Sequence, residues 1–494
     1  MPATAATPGA GLRRFDLAVL AALLPVAAAL AWALMATPVD DAYIYLRVAA
    51  NIAEGHGWSY NPGEPANPAT STSFVLLLAA LGRVAGFGTH TLAASFALCL
   101  FALLAAHYLA WRRSDGVAIA LLACAVIASS SRLLASVGME TALLLAAVSW
   151  TALAWQRRGD GWVVGLLAGI TALTRPEGLL VLALIGLCAL LQRRLAWRSL
   201  LAALVVVLPW VVWATLEFGS PLAQTAAVKA AQRHYGWWGQ QPDFLIAFLQ
   251  QPAWPWLTLP AAAIGIVLAA RRWRGGDAFA AICIGFGLLQ VIGYQFLGAP
   301  LGYPWYHAPG NLAVDLALVL VIAAAAAWAR RHFTGMAQGA RRSRATAVAT
   351  ACTLACAPLF LRAGMTPAAW PTPPAFAADY RNSAEWLRAH AAPGDEAAAT
   401  EIGRIGWHSG LRILDIHGLI HPQALPALRE GNLHWWYDAG LRPRFVVSHV
   451  PAWHGEPGSA ETWPESLSAD FFAGYRLVHE HGVMRIHERV APPR

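Results

Sequence analysis

Lysine is all but missing from this chain: Lys229 stands alone, and every other fixed cation is arginine. Charge of either sign is scarce. Asp, Glu, Lys and Arg together make up 13% of the residues, where a soluble domain carries about 25%. With 57% hydrophobic residues and a mean hydropathy of +0.48, no single soluble core could absorb this sequence, so a bilayer must take part. Cysteine is sparse too. Cys99, Cys124, Cys188, Cys283, Cys352 and Cys356 all sit in apolar runs, which excludes a disulfide framework. Cys352 and Cys356 share a helix face, and zinc would need further ligands there. No Walker loop, nucleotide-binding glycine fingerprint or nucleophile elbow is present. The net charge of +8 is spread over short clusters without a nucleic-acid-binding motif. These absences remove nucleic acid as a partner and a soluble nucleotide as a donor.

What the sequence does have is apolar runs punctuated by arginine. A membrane-spanning helix needs about 20 apolar residues, and Leu17–Ala36 is the first candidate. Thr91–Trp111, Gly116–Ser131, Glu140–Trp155, Trp162–Thr174, Gly178–Leu191 and Leu200–Leu216 follow, then Pro255–Ala270, Ala278–Leu297, Leu312–Ala329 and Ala345–Leu361. Arg112/Arg113, Arg157/Arg158, Arg193/Arg194/Arg198, Arg271/Arg272/Arg274 and Arg330–Arg344 then fall on one side. Positive residues mark the cytoplasmic side, so about eleven spans are expected, with the N-terminus inside and the C-terminus outside. Counting Phe74–Phe87 as a span would invert every later loop. Gly82 and Arg83 interrupt it, so it is expected as an interfacial or re-entrant helix within one long outer loop, Val39–His90. Trp162–Thr174 and Gly178–Leu191 are short and joined at Arg175-Pro176-Glu177. Short helices joined at membrane depth line a cavity more often than they face lipid.

The composition changes after Leu361. Arg362–Pro374 reads as a proline-rich linker, Ala378–His390 as a helix, and Ala397–Ile402, Arg412–Ile416 and Phe445–Ser448 as short strands. Tyr475–His479 and Val483–His487 read as a hairpin turning near His481-Gly482. The expected architecture is a polytopic α-helical membrane domain over residues 1–362, then a soluble outer (periplasmic) α/β domain over 363–494. No internal repeat is visible.

The most informative stretch starts where the first span ends. Pro38 breaks that helix, and Asp40 is placed to cap a new one that Gly55 ends. Ile44, Val48 and Ile52 share one face, and Arg47, Asn51 and Glu54 another, as in a helix lying along a membrane surface. Asp40 and Asp41 would serve a helix N-terminus; the alternative is a carboxylate pair held for chemistry at the lipid boundary.

The residues themselves carry a likeness. Asp40-Asp41-Ala42-Tyr43-Ile44-Tyr45-Leu46-Arg47, then Asn51-Ile52-Ala53-Glu54-Gly55-His56-Gly57 and Tyr60-Asn61-Pro62-Gly63-Glu64, resemble the first periplasmic loop of GT-C-fold membrane glycosyltransferases. The likeness is strongest to the terminal β-1,2-arabinofuranosyltransferase group. Weaker echoes are Gly138-Met139-Glu140-Thr141, Leu173-Thr174-Arg175-Pro176-Glu177-Gly178 and Ile402-Gly403-Arg404-Ile405-Gly406 before Asp415. The resemblance implies a bacterial inner-membrane enzyme that takes a sugar, with arabinofuranose as a candidate, from a polyprenyl-phosphate donor. The acceptor would be a periplasmic polysaccharide or glycolipid. It implies Asp40 or Asp41 as general base and inversion at the anomeric carbon. No cofactor is required by this reading, although the second acid could help hold a divalent cation.

Other positions carry a structural alternative beside the functional one. Arg175 is the first candidate to meet the leaving phosphate, with Arg47 and Lys229 behind it; an Arg175–Glu177 pair closing the turn is the alternative. Lys229, Arg233 and His234 lie near Tyr235, Trp237 and Trp238, which suit either a phosphate site or an interfacial anchor. Tyr303, Trp305, Tyr306 and His307 form a second aromatic cluster fit for sugar faces or the interface. Glu140 and His56 complete the candidate binding set. His408, His417, His421, His434 and His449 are expected to be surface or packing residues rather than zinc ligands. Two rival classes stay open: a transporter or flippase of lipid-linked sugars, and a GT-C enzyme glycosylating protein or lipid A.

Overall fold

The computed structural model describes residues 14–233, 244–250, 255–299, 301–333 and 371–490. The expected span Ala345–Leu361, most of the linker, Cys352 and Cys356, and His234 with its neighbouring aromatics lie outside the described residues. Helices occupy each earlier span position, from Arg14–Ala33 to Pro304–Phe333. Five of them are long and apolar enough to cross a membrane: Arg14–Ala33, Thr89–Ser114, Trp197–Phe218, Phe279–Leu297 and Pro304–His332. Val117–Ala128, Trp162–Thr174 and Pro176–Leu191 are apolar but shorter. The bundle keeps large apolar side chains on its outside, Leu216 and Phe296 among them. A soluble protein would bury such residues, whereas a lipid-facing surface needs them.

Small residues set the helix spacing. Gly165 and Gly169 lie where a Cβ would overlap Ser199, Ala203 or Val206 of the next helix, so Trp162–Thr174 packs closely on Trp197–Phe218. Gly265 and Gly287 do the same against the backbone of Ala317 and Pro309.

The stretch expected to be interfacial forms the helix Thr72–Ala85, N-capped by Ser71 Oγ, which accepts from Phe74 N–H at 3.2 Å. The helix Asp40–Glu54 differs from expectation in two ways. Its N-cap is Val39, with no side-chain capping bond, and Asp40 is already the first helical residue. It does not lie half-exposed on a surface either: every residue from Ala42 to Asn51 is buried. The reason is a covering layer that the helical pattern could not reveal.

That layer is the C-terminal domain. Strands β1 (Glu396–Ala399), β2 (Arg412–Asp415), β3 (Phe445–His449), β4 (Tyr475–His481) and β5 (Met484–Arg489) form one sheet in the order β2-β1-β3-β5-β4. β1 runs parallel to β2 and β3, while β5 is antiparallel to β3 and β4. β1 stops at Ala399, and Ile402, expected to end this strand, instead opens the helix Ile402–Ser409. This helix packs on Asp40–Glu54 on one side and on Ala377–His390 on the other.

Two glycines allow that approach. A Cβ on Gly403 would overlap the Asp40 backbone, and one on Gly406 would overlap Tyr60 Oη and Arg47 Nη1. Arg47 fastens the joint: its Nε donates to Tyr60 O at 2.9 Å, Nη1 to Gly406 O at 2.7 Å and Nη2 to Leu411 O at 2.7 Å. Arg404 reaches the other way, to Pro38 O at 2.5 Å and Tyr43 Oη at 3.2 Å. Asn61 lies along β2 like a strand residue: its Nδ2 donates to Ile413 O at 2.9 Å, and its Oδ1 accepts from Ile413 N at 3.0 Å.

Candidate functional site

A cavity of about 680 Å³ opens where the first loop, the helical bundle and the sheet domain meet. Asp40, Asp41, Glu140, Arg175, Lys229, Trp305 and Tyr306 all line it, although they are scattered over 267 positions of sequence (40 to 306). Of the other candidates, Glu177 stands behind this wall. His307 is buried outside it, stacked on Phe244 at 4.5 Å and bonded to Leu301 O at 2.8 Å. His56 is exposed beside Glu54, also away from the cavity. Arg47 is not a phosphate ligand in this arrangement, because three carbonyl oxygens occupy its donors.

The two aspartates are held differently. Asp40 Oδ2 accepts from Gly403 N–H and Oδ1 from Arg404 N–H, each at 2.7 Å. Asp40 therefore sits at the N-terminus of a helix in the other domain, where unpaired N–H groups favour an anion. Burial pushes its carboxyl up to about 6, and Asp41 adds to the rise, while the two N–H groups pull the other way. Asp41, one residue on, also lines the cavity. It forms no hydrogen bond or ion pair with the described residues. Glu401, which sequence reasoning missed, faces both. Burial, then the nearby charges of Asp40 and Asp41, raise its carboxyl well above the usual range.

The opposite wall carries the cations. Arg175 Nε bonds Glu177 Oε1 at 2.5 Å, Nη1 pairs with Glu140 Oε1, and Nη2 donates to Tyr294 Oη at 3.0 Å. Both readings of this turn thus apply: the Arg175–Glu177 pair closes it, and the guanidinium still lines the cavity. Two carboxylates offset its charge. Lys229 is different. Its Nζ lies 3.4 Å from Tyr306 Oη and 4.8 Å from the centre of the Tyr303 ring; it makes no close ion pair among the described residues, and the Asp41 carboxylate acts on it only through space. The basic amphipathic segment Gln224–Arg233 brings it there, anchored by Gln224 N–H on Asn67 O at 2.8 Å and Thr225 Oγ1 on Pro68 O at 2.5 Å. The Pro65–Ser71 stretch is therefore the seat of the lysine-bearing helix.

The sheet domain supplies the remaining wall: Thr400, Glu401, Ile402, His417, Leu419 and the loop Pro451–Glu461. His417, expected to be a packing histidine, lines the cavity, and burial lowers it to about 4. Asp415 shapes that turn, accepting from His417 N–H at 2.9 Å, Leu419 N–H at 2.5 Å and Ile420 N–H at 3.2 Å. Burial raises it to about 7, against these bonds. Other histidines of the sheet domain pack or pair elsewhere: His408 beside Tyr43, His434 with Asp438, and His421 beside Trp435. Among the described residues, no three His, Cys, Asp or Glu side chains converge as a metal site. The only sequence signal for this wall was the echo Ile402–Gly406, whose two glycines mark the close approach.

Comparison with known proteins places this architecture. The fold is that of the GT-C membrane proteins. ArnT from Cupriavidus metallidurans in the apo state superposes with a TM-score of 0.58 at 13% identity, covering 97% of this chain and 98% of that one. The same protein bound to undecaprenyl phosphate gives 0.55 at 13%, covering 97% and 99%. The oligosaccharyltransferase AglB from Archaeoglobus fulgidus, with an inhibitory peptide and a dolichol-phosphate, gives 0.54 at 12%, covering 89% and 70%. By sequence, residues 375–491 match a family described as a domain of unknown function (DUF8728). No curated protein matches the chain.

Proposed function

We propose that this chain is a membrane glycosyltransferase that transfers a sugar from a polyprenyl-phosphate carrier to a hydroxyl of a cell-envelope acceptor. One observation carries the reading: a carboxylate without a partner among the described residues, Asp41, and the single lysine of the chain line the same cavity. Glycosyl transfer from a polyprenyl-phosphate sugar, a phosphodiester whose leaving group is a phosphate monoester, calls for both a base and a cation. The acceptor oxygen attacks the anomeric carbon, its proton passes to Asp41, and the bond from that carbon to the phosphate oxygen breaks. The departing lipid phosphate gains negative charge, which Lys229 and the Tyr306 hydroxyl meet. A single displacement of this kind inverts the anomeric centre. Asp40 holds Asp41 in place through its bonds to the sheet domain rather than taking the proton itself, since both its oxygens are engaged. Arg175 orders the wall behind Lys229.

Two further observations support it. Neighbours of the same fold hold undecaprenyl phosphate and dolichol-phosphate, so a carrier lipid suits this architecture. Arg113 and Arg157, in the last turns of Thr89–Ser114 and Thr141–Arg158, line a separate pocket with Gly275 and Asp277, whereas Glu140, at the opposite end of its helix, lines the main cavity. Positive residues at the far ends favour an orientation with the cavity and the sheet domain on the outer face of the inner membrane.

The test is direct. Purified protein in liposomes is given polyprenyl-phosphate sugars, with and without a crude envelope acceptor. Release of free polyprenyl phosphate together with sugar incorporation, both lost in Asp41→Asn, is expected. Movement of intact lipid-linked sugar across the bilayer without bond cleavage would replace the enzyme with a flippase.

A further inference from the structure

The sheet-domain wall contains an arrangement that the reaction above leaves unused. Trp453 lines the cavity, and its ring lies flat on His449, with centroids 3.6 Å apart and planes 2° from parallel. His449 is itself locked. Its Nδ1 meets Glu456 Oε1 at 2.7 Å and its Nε2 meets Tyr380 Oη at 3.0 Å. The second carboxylate oxygen, Glu456 Oε2, accepts the backbone N–H groups of His449 and Trp453, each at 2.8 Å. Thr400, another cavity residue, donates to Glu456 Oε1 at 2.6 Å. One fully buried carboxylate thus fixes both the ring beneath the tryptophan and the backbone that carries it.

Packing alone does not call for this. An indole that only filled space would be fully buried, whereas Trp453, edge-on to Phe376, is partly exposed and lines a cavity that also carries charged and hydroxyl side chains. The same cavity wall carries Ser459 and the His454–Glu461 pair, 3.0 Å apart. A rigid aromatic plate in a wall that also holds hydroxyl, imidazole and carboxylate groups matches a pyranose ring, which offers an apolar C–H face and a rim of hydroxyls. We infer that Trp453 is the stacking platform of an acceptor subsite, and that the acceptor presents a pyranose ring on the sheet-domain side of the cavity. The inference deepens the transferase reading and rests on it for the word acceptor. In this division of labour, residues 375–491 hold the sugar that receives, while the helical half holds the carrier.

The test uses the full chain in lipid nanodiscs, free of glycoside detergents, and the methyl α- and β-pyranosides of glucose, galactose and mannose as probes. Saturation-transfer NMR should show contact through ring C–H protons. Trp453→Leu, which keeps an apolar side chain without the ring, should weaken the bound glycoside roughly tenfold, and Trp453→Phe should retain most of it. Binding of undecaprenyl phosphate, measured in parallel, should be the same in all three proteins and reports that each is folded. Wild-type binding of the carrier but of no glycoside overturns the subsite and leaves the transferase standing, as does unchanged glycoside binding in Trp453→Leu. Glycoside binding that depends on Trp453, without carrier binding, keeps the subsite and removes the transferase.

Discussion

Asp40 and Gly403 are 363 residues apart in the chain, yet the carboxylate of one accepts the backbone N–H of the other at 2.7 Å. In the proposed mechanism this contact separates the roles of two adjacent aspartates that look equivalent in sequence. Asp40→Asn should keep the carbon framework while replacing one of the two oxygens that accept from Gly403 and Arg404 with an N–H donor that cannot. Its main effect is a lower Tm with residual transfer. Asp41→Asn should leave Tm nearly unchanged and cut kcat by roughly 10²–10⁴-fold. Thermal unfolding and initial rates on the same samples decide the assignment; equal activity losses with equal Tm would contradict it.

Lys229 should govern carrier affinity. A hydrogen bond to a charged group is worth about 1.5–3 kcal/mol, so Lys229→Met should weaken undecaprenyl phosphate binding by roughly 10–100-fold. Lys229→Arg should restore part of it. Titration of the lipid phosphate into protein in nanodiscs measures this, and affinity equal to wild type in Lys229→Met would move the phosphate elsewhere.

Arg175 should behave as a structural residue first. Its side chain is 9% exposed, and those of Glu140 and Glu177 are 0% and 14% exposed. Removing one partner from such a buried group leaves uncompensated charge, typically costing about 3–5 kcal/mol. Arg175→Ala should therefore lose folded protein on extraction. Arg175→Met combined with Glu140→Gln and Glu177→Gln should recover it, as judged by size-exclusion profile and Tm.

The pH dependence follows from Asp415 and Asp40. Both carboxyls are raised in the folded protein, to about 7 and about 6, first of all by burial. A raised carboxyl means that the folded state binds more protons than the unfolded one. These two groups therefore contribute most to stability at acid pH, below the ordinary carboxylate range, and their contribution falls as pH rises through the raised values. Asp415→Asn should flatten the Tm-against-pH curve between about pH 4 and 7. A slope there as steep as in wild type would show that other groups set it.

Gly403→Ala tests the joint without touching charge. Its new methyl would overlap the Asp40 backbone, so the sheet domain must lift from the helix Asp40–Glu54. Faster proteolysis near residues 391–401 and loss of activity are the expected outcomes. Gly410→Ala, by contrast, meets open space but a φ of +71°, and should cost only local backbone strain of order 1 kcal/mol.

Much of this molecule is legible in the sequence where a period or a breaker carries the signal. The apolar runs mark the helices, and Gly55 marks the close of the first loop helix. Asp40, Asp41, Glu140, Arg175, Lys229, Trp305 and Tyr306 can be named because acids and bases are rare in such a chain and its aromatics cluster. Where the reading fails, the deciding contact is distant. Arg47 resembles a phosphate ligand because nothing nearby in sequence announces the carbonyls of Gly406 and Leu411. Glu401 and Trp453 go unnamed, and His417 is read as a packing residue, because their place at the cavity emerges only when the sheet domain closes it, and no local pattern encodes that closure.

Asn61 bears on how residues 375–491 can be handled in isolation. Its amide supplies the donor and acceptor that an additional strand would give to Ile413. Cut away from the helices, β2 would present a bare ladder of N–H and C=O groups, an invitation to pair with another copy. A truncated version should therefore precipitate or assemble edge to edge, and its insolubility would reflect a missing neighbour rather than a faulty core.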